Sequence, residues 1–379
     1  MSIPPALDPP SRLLCGPGPS DVEPSVLAAM RRPMLGHLDG DFHAILDEVV
    51  AMLRAVWRMP AGDVLALPAT GTTAMETGLA NLLEPGETVI VGVAGFFGAR
   101  LADMAERHGA RVVRVQAPLG ETVPNAALLD ALDAHPEAHL VAVVHAETST
   151  GTEHPLRELG EALAGYDALL MADCVTSLGG IPLDAEAWHL DYAYSCTQKC
   201  LGAPPGMAPV AISPYAWEKI GRRRTRVPLS LDLRALRAYW VERPITYHHT
   251  APILAIYALH EALRRVLEEG LEPRWARHAA AAATLRAALD ERGLELLAAP
   301  GRELAPLTAV RVPAGVDGNE VRARMLAGHG IEIGGGLGPD APPIWRIGLM
   351  GRNATGAIAG RVVTALDAVL ETSGAVALA

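Results

Sequence analysis

The sequence predicts an α/β fold: a large domain built on a mostly parallel, doubly wound sheet, followed by a smaller α+β domain. Two observations carry this. Short apolar runs alternate with amphipathic stretches up to about residue 250, and beyond that point the rhythm gives way to long helices and isolated short strands. The chain is also 379 residues long and half hydrophobic, enough for two domains that need neither disulfides nor metals to hold them.

In chain order, the first dozen residues are Pro-rich and aperiodic and read as an arm. Gly16-Pro-Gly-Pro-Ser20 is a turn-rich entry to a helix over Pro24–Met30. Thr73–Leu83 is amphipathic and stops at Glu84-Pro85-Gly86. Glu87–Val93 reads as a buried strand, Ala99–His108 as a helix and Arg111–Gln116 as a strand. Leu140–His145 and Ala168–Ala172 are apolar runs of the kind found in the middle of parallel sheets, with helix Pro155–Leu163 between them. Tyr192–Cys196 is a further apolar stretch. Then come the helical stretches Ile253–Gly270 and Trp275–Leu289. The remainder holds strands at Leu294–Leu297, Thr308–Val312, Ile331–Ile333 and Trp345–Leu349, a helix over Asn319–His329 and a last helix. These elements divide the chain into an arm (1–20), a large domain (21–270) and a small C-terminal domain (271–379).

A net charge of −11 speaks against nucleic acid or an anionic membrane as partner, and no apolar run approaches a membrane span. Met1–Arg12 has no basic segment leading into an apolar one, so a reducing cytoplasm with four free cysteines is the expectation. Cys196 and Cys200 have no further Cys or His nearby, too little for a zinc site. Lysine occurs only at Lys199 and Lys219 among thirty arginines. Base composition accounts for the scarcity, which still makes a functional amine easy to locate.

Four features carry chemistry. Asp173 ends an apolar strand, at the edge where open α/β sheets bind ligands, and Lys199 follows the next apolar stretch, in a loop leading to Gly202-Ala-Pro-Pro-Gly206. A strand-end Asp also serves as a turn cap, and a loop Lys as a solvated charge. Ala69-Thr-Gly-Thr-Thr73 opens a helix whose first amides and hydroxyls suit an anion, although Thr-Gly-Thr is ordinary N-capping too. It matches neither a Walker A loop nor a dinucleotide fingerprint, and Gly334-Gly-Gly-Leu-Gly338 reads as a flexible loop. Arg346 lies inside an apolar strand and needs an anion, from the protein or from a substrate carboxylate.

Anion cradle, strand-end Asp and loop Lys, in that order, resemble the fold-type I enzymes that use pyridoxal 5′-phosphate. Gly16–Ser20, His145-Ala-Glu-Thr-Ser-Thr-Gly151, Asp173 with Ser177–Gly180, Ser195-Cys-Thr-Gln-Lys199, Tyr247-His-His-Thr250 and Ile331–Pro339 with Arg346-Ile-Gly348 narrow this. The chain is similar to class V aminotransferases, the alanine–glyoxylate and serine–pyruvate group above all, from about residue 12 to 370. The resemblance implies that Lys199 carries the cofactor as a Schiff base and moves the substrate Cα proton, and that Asp173 pairs with the pyridinium nitrogen. It implies that Thr148 bonds the phenolic oxygen and that Thr70, Gly71, Thr72 and Gln198 hold the phosphate. Tyr247 and Thr250 would reach the phosphate of a neighbouring subunit in a homodimer, and Arg346 would bind the α-carboxylate. Phe97 stands where the group often has a tryptophan over the ring; it can stack but lacks the indole donor.

The activity this implies is transfer of an amino group from alanine or serine to glyoxylate. A ureidoglycine–glyoxylate enzyme is the nearest rival. A PLP lyase such as a desulfurase or kynureninase is a further alternative, but a desulfurase needs a C-terminal cysteine and none follows Cys200. A non-catalytic nucleotide-binding protein would leave Asp173, Lys199 and Arg346 unexplained. Arg222–Arg226 is expected to be a solvated cluster, Cys174 and Cys200 to be packing residues, and His248 and His249 to brace a loop.

Overall fold

The computed structural model describes residues 3–338 and 341–372; Pro339 of the glycine-rich motif lies outside them. Seven strands form the main sheet: β1 (Asp63–Leu67), β2 (Thr88–Val93), β3 (Arg111–Gln116), β4 (Ala138–Val144), β5 (Leu169–Asp173), β6 (Tyr192–Tyr194) and β7 (Ala208–Ile212). Their order is β1-β7-β6-β5-β4-β2-β3. Only β7 runs against its neighbours, and the others share one direction. In β1, β6 and β7 every residue is buried, as when helices cover both faces of a sheet. Strand β3 is half-exposed along its length and forms an edge.

The helices expected from the sequence are present with shifted ends. The first site helix spans Gly71–Leu82 and is capped by Thr70, whose hydroxyl accepts the Thr73 N–H at 3.2 Å. Its Gly78 faces the sheet, where a Cβ would come 2.4 Å from the Tyr192 ring. The next helix begins at Phe96 rather than Ala99, which draws Phe97 into its first turn.

Three differences from the sequence reading have physical causes. Leu294–Leu297 makes only a single bridge, Leu296 to Val310, before Pro300-Gly301 turns the chain away. Helix Gly40–Trp57 is an additional element; Asp39 caps it, and Phe42, Leu46, Val49, Leu53 and Val56 form its buried stripe. Arg223 does not belong to a solvated cluster: its guanidinium donates to the Asn81 and Leu83 carbonyls at 3.1 and 2.6 Å and closes the C-terminal end of Gly71–Leu82.

After Gly270 the chain turns into helix Leu271–Asp290. This helix joins Gly318–His329, Gly356–Thr372 and the antiparallel strands Leu307–Arg311 and Ile344–Gly348 around a second apolar cluster. Cys15 is buried in that cluster, and Leu13–Leu14 pairs in parallel with Ile331–Glu332. Among the described residues no helix is long and apolar enough to cross a membrane.

Gly78→Ala weighs two effects. Alanine favours the helix by about 1 kcal/mol, whereas overpacking a core costs roughly 1–3 kcal/mol. The Tyr192 hydroxyl is bonded to the Ala74 carbonyl at 2.8 Å, so its ring cannot easily move aside. We expect a net loss of stability, read as a lower unfolding midpoint in urea; an unchanged or higher midpoint would show that the ring yields.

Candidate active site

Loops after the carboxyl ends of β1, β2, β4, β5 and β6 meet at one edge of the sheet, each contributing a residue the sequence singled out. Asp173 is the last residue of β5 and is buried. Its Oδ1 accepts the Val175 N–H at 2.9 Å and its Oδ2 the Tyr194 hydroxyl at 2.8 Å. Burial pushes this carboxyl up to about 6 against the pull of those two donors, and the nearby Glu147 charge adds to the rise.

Lys199 follows β6 in the adjoining loop. Its amine donates to the Pro17 carbonyl, and burial lowers its pKa below the usual lysine range, toward the neutral, nucleophilic form. Gly16–Ser20 lies over it. Gly18 has φ +110°, and a Cβ there would fall 2.6 Å from Nζ. Ser20 fastens this cover, its N–H to the Gln198 carbonyl and its hydroxyl to the Lys199 carbonyl, both at 2.8 Å. The other lysine, Lys219, pairs with Glu87, which precedes β2 at the opposite edge of the sheet.

The anion cradle is the start of Gly71–Leu82. The Thr70 hydroxyl is spent on the cap, while the Gly71 and Thr72 amides have no protein acceptor among the described residues. A Cβ on Gly71 would come 3.0 Å from Val175 and 3.4 Å from Cys196 Cβ, so the helix start sits close against the loops after β5 and β6. In those loops Thr176 Oγ1, Ser177 Oγ and Gln198 Oε1 are buried without a hydrogen-bond partner. Such orphans cost about 1–3 kcal/mol each unless something else meets them. Free first-turn amides beside the unpaired Thr176 and Ser177 hydroxyls fit a phosphate ester, to which Gln198 could turn its side-chain NH₂, and a buried carboxyl beside a half-buried amine fits the pyridine ring and aldehyde of pyridoxal phosphate.

Thr148 follows β4, and its carbonyl accepts Arg346 Nη1 at 3.2 Å. Arg346 is 6 % exposed; Gly335 takes its Nε at 2.6 Å, no carboxylate pairs with it among the described residues, and burial pushes its guanidinium down to about 10. The glycine-rich stretch is therefore not a free loop here. Gly334 exchanges backbone bonds with Arg346 at 2.8 and 2.9 Å, and any Cβ on it would meet Pro17 at 2.5 Å. Phe97 lies edge-on to Phe96 at 5.5 Å, with the Arg100 guanidinium over both rings.

Tyr247 and Thr250 are not brought to this site within one chain. Tyr247 is 58 % exposed with its ring beside His37, and Thr250 is exposed. Between them, His248 bonds His249 and the Leu229 carbonyl. All four cysteines are free and buried.

Sequence reasoning missed Tyr194, Glu147 and the Pro17–Gly18 cover. Tyr194 was visible as the polar-tipped residue in an apolar strand beside Asp173. Glu147 was visible as an acid among small residues after a buried strand.

A sequence model of the family Aminotransferase class-V matches residues 25–347. Alanine–glyoxylate aminotransferase of Rattus norvegicus is 39% identical over 96% of this chain and 88% of its own length. The crystal structure of alanine–glyoxylate aminotransferase from Nostoc sp. superposes with a TM-score of 0.94 at 46% identity, covering 97% of this chain and 98% of that one. That of ureidoglycine–glyoxylate aminotransferase from Bacillus subtilis gives 0.95 at 36% identity, covering 99% and 96%.

The raised Asp173 carboxyl has a measurable consequence in protein freed of bound small molecules. Between about pH 4 and 6 the folded chain keeps a proton that unfolded Asp has lost, so this group makes stability fall as pH rises through that window. Asp173→Asn removes the slope, a change on the order of 3 kcal/mol in the pH dependence. Urea midpoints of both proteins at about pH 4.5 and 7 check it; parallel profiles would contradict it.

Proposed function

The chain belongs to the class V aminotransferases, and we propose that it moves an amino group from a small amino acid, alanine or serine, to glyoxylate, with pyridoxal 5′-phosphate held at the sheet edge. The observation that carries this reading is the set of three groups: a half-buried amine on Lys199 and a buried carboxyl on Asp173 at adjoining strand ends, with a buried, carboxylate-free Arg346 tied to the Thr148 carbonyl. The relatives named for alanine–glyoxylate transfer support the choice of substrates.

Each group then has a task. Asp173, ionised, would hold a proton on the ring nitrogen. The cofactor supplies an electron sink for the pair left when the substrate Cα loses its proton. Lys199 would hold the cofactor until substrate arrives, then take the Cα proton and return it. The Arg346 fork, with no carboxylate of its own, would grip the α-carboxylate. Gly71 and Thr72 amides with Gln198 would bind the phosphate at the positive end of their helix. The Thr148 hydroxyl would meet the phenolic oxygen, and Phe97 would cover the ring face. Thr70 contributes by capping the helix.

Exposed Tyr247 and Thr250 support the reading that a second copy completes the phosphate site in a homodimer. A desulfurase-type lyase is disfavoured, since every cysteine is buried and burial raises Cys196 and Cys200 to about 12.

The test is amino transfer to glyoxylate from alanine, serine and ureidoglycine, compared by kcat/KM. Alanine or serine should lead; a clear preference for ureidoglycine would move the chain to that activity, and no transfer from any small amino acid would overturn the reading. Borohydride should fix cofactor mass on the wild-type chain and on Lys219→Ala, not on Lys199→Ala. The reverse pattern would displace the site.

A further inference from the structure

Glu147 is a buried carboxylate to which the proposed reaction assigns no task. It sits in the two-residue strand Ala146–Glu147 and is 1 % exposed. Its Oε2 accepts the backbone N–H groups of Phe97 at 3.1 Å and Gly98 at 3.2 Å. Its Oε1 accepts the Ser149 N–H at 3.0 Å and the Ser149 hydroxyl at 2.5 Å, and Ser149 Oγ in turn accepts the Phe96 N–H at 2.9 Å. Those three amides are first-turn donors of helix Phe96–Arg107, which the helix cannot satisfy itself. The usual capping position is Gly95, which has no side chain to offer. It must be glycine here, since a Cβ would come 2.4 Å from Ser149 Oγ and 2.7 Å from Glu147 Cδ. The cap is supplied by a different loop, at the positive end of the helix dipole. Burial raises the Glu147 carboxyl, and the bonds from Ser149, Gly98 and Phe97 act against that rise.

The same three residues reach the other side of the site. Thr148, between Glu147 and Ser149, gives its carbonyl to Arg346, and the Glu147 charge favours the ionised guanidinium. One tripeptide thus holds the aromatic platform at one end and the carboxylate-binding arginine at the other.

We propose that Glu147 is a positioning residue for amino transfer, a helix cap supplied by a distant loop of the same chain that fixes Phe97 relative to the Arg346 guanidinium and so sets where the amino acid binds. This rests on the reading of the site given above. A merely structural Glu147 would, when lost, weaken fold, cofactor and substrate binding together; a positioning residue separates them.

Glu147→Gln leaves an oxygen for the Phe97 and Gly98 amides but turns an NH₂ toward the Ser149 N–H and removes the charge. Ser149→Ala keeps the charge and removes only the bond to Phe96. Three readouts apply: amide hydrogen exchange at Phe96–Gly98 in cofactor-free protein, dissociation of pyridoxal phosphate, and kcat and KM for the amino donor the wild-type enzyme uses. In Glu147→Gln, exchange at Phe97 and Gly98 should quicken about tenfold, because the bonds those two amides keep are no longer charge-assisted. Donor KM should rise about tenfold while cofactor dissociation stays within about threefold of wild type. Ser149→Ala should quicken Phe96 exchange and raise KM less. Unchanged exchange in both variants would overturn the cap, and KM and cofactor affinity weakening equally would overturn positioning. If the wild-type chain transfers no amino group, the functional reading fails, and the exchange data still decide the cap.

Discussion

The parallel pairing of β5 with β6 is the constraint on which the site depends. Its register sets Asp173 opposite Tyr194, so the tyrosine hydroxyl reaches the carboxylate, and Lys199 follows five residues later from the neighbouring strand end. A slip of one residue would turn Asp173 to the other face of the sheet. That slip is resisted because both strands are buried and Tyr192, on the same strand, is bonded to the helix that forms the anion cradle. Pairing continues past the strand end, where the Cys174 N–H meets the Tyr194 carbonyl at 2.8 Å, so the loop leaves the sheet already aimed.

The electrostatics at this edge follow one pattern. Two carboxyls, Asp173 and Glu147, and two basic groups, half-buried Lys199 and buried Arg346, lie close enough to feel each other, yet no ion pair joins any two of them among the described residues. Backbone amides, carbonyls and hydroxyls meet them instead. Burying charge in this way is expensive. It also leaves Asp173, Lys199 and Arg346 without a salt bridge that a ligand would first have to break, which suits taking up a charged substrate and releasing a charged product on every cycle.

Much of this was legible in the residues. The strand-end Asp, the loop Lys and the helix-start Thr-Gly-Thr are local signals, and local signals survive folding: a strand end exposes its last side chain wherever the strand goes. What stayed hidden depends on pairs distant in sequence. Nothing near Gly95 says that Glu147 will cap the following helix, since a cap from a distant loop leaves only the absence of a local one. Arg223 read as a surface charge because its partners, the carbonyls of Asn81 and Leu83, are backbone atoms without a sequence signature. Pro209 breaks the strand pattern of β7; it is tolerated because the side lacking an N–H faces Ser195, just past the end of β6, where the Pro209 carbonyl still accepts the Ser195 N–H at 2.8 Å. The helix Gly40–Trp57 is the opposite case, since both its Asp39 cap and its apolar period are local signals.

The cover on Lys199 belongs to two ends of the molecule at once. Leu13 and Leu14 are held by Ile331 and Glu332, and a few residues later the same strand of chain closes over the amine. Residue 13 leaves the ribosome long before residue 331 does, so this parallel pairing is among the last contacts the chain can make. Only the Leu13–Leu14 tie has to wait for the last quarter of the chain, a contact of the slow, long-range kind; Ser20 meets the lysine loop directly. The cover is thus anchored twice, to the lysine loop by Ser20 and to the second apolar unit by Leu13 and Leu14, so a shift of that unit against the sheet would pull on the segment lying over Lys199.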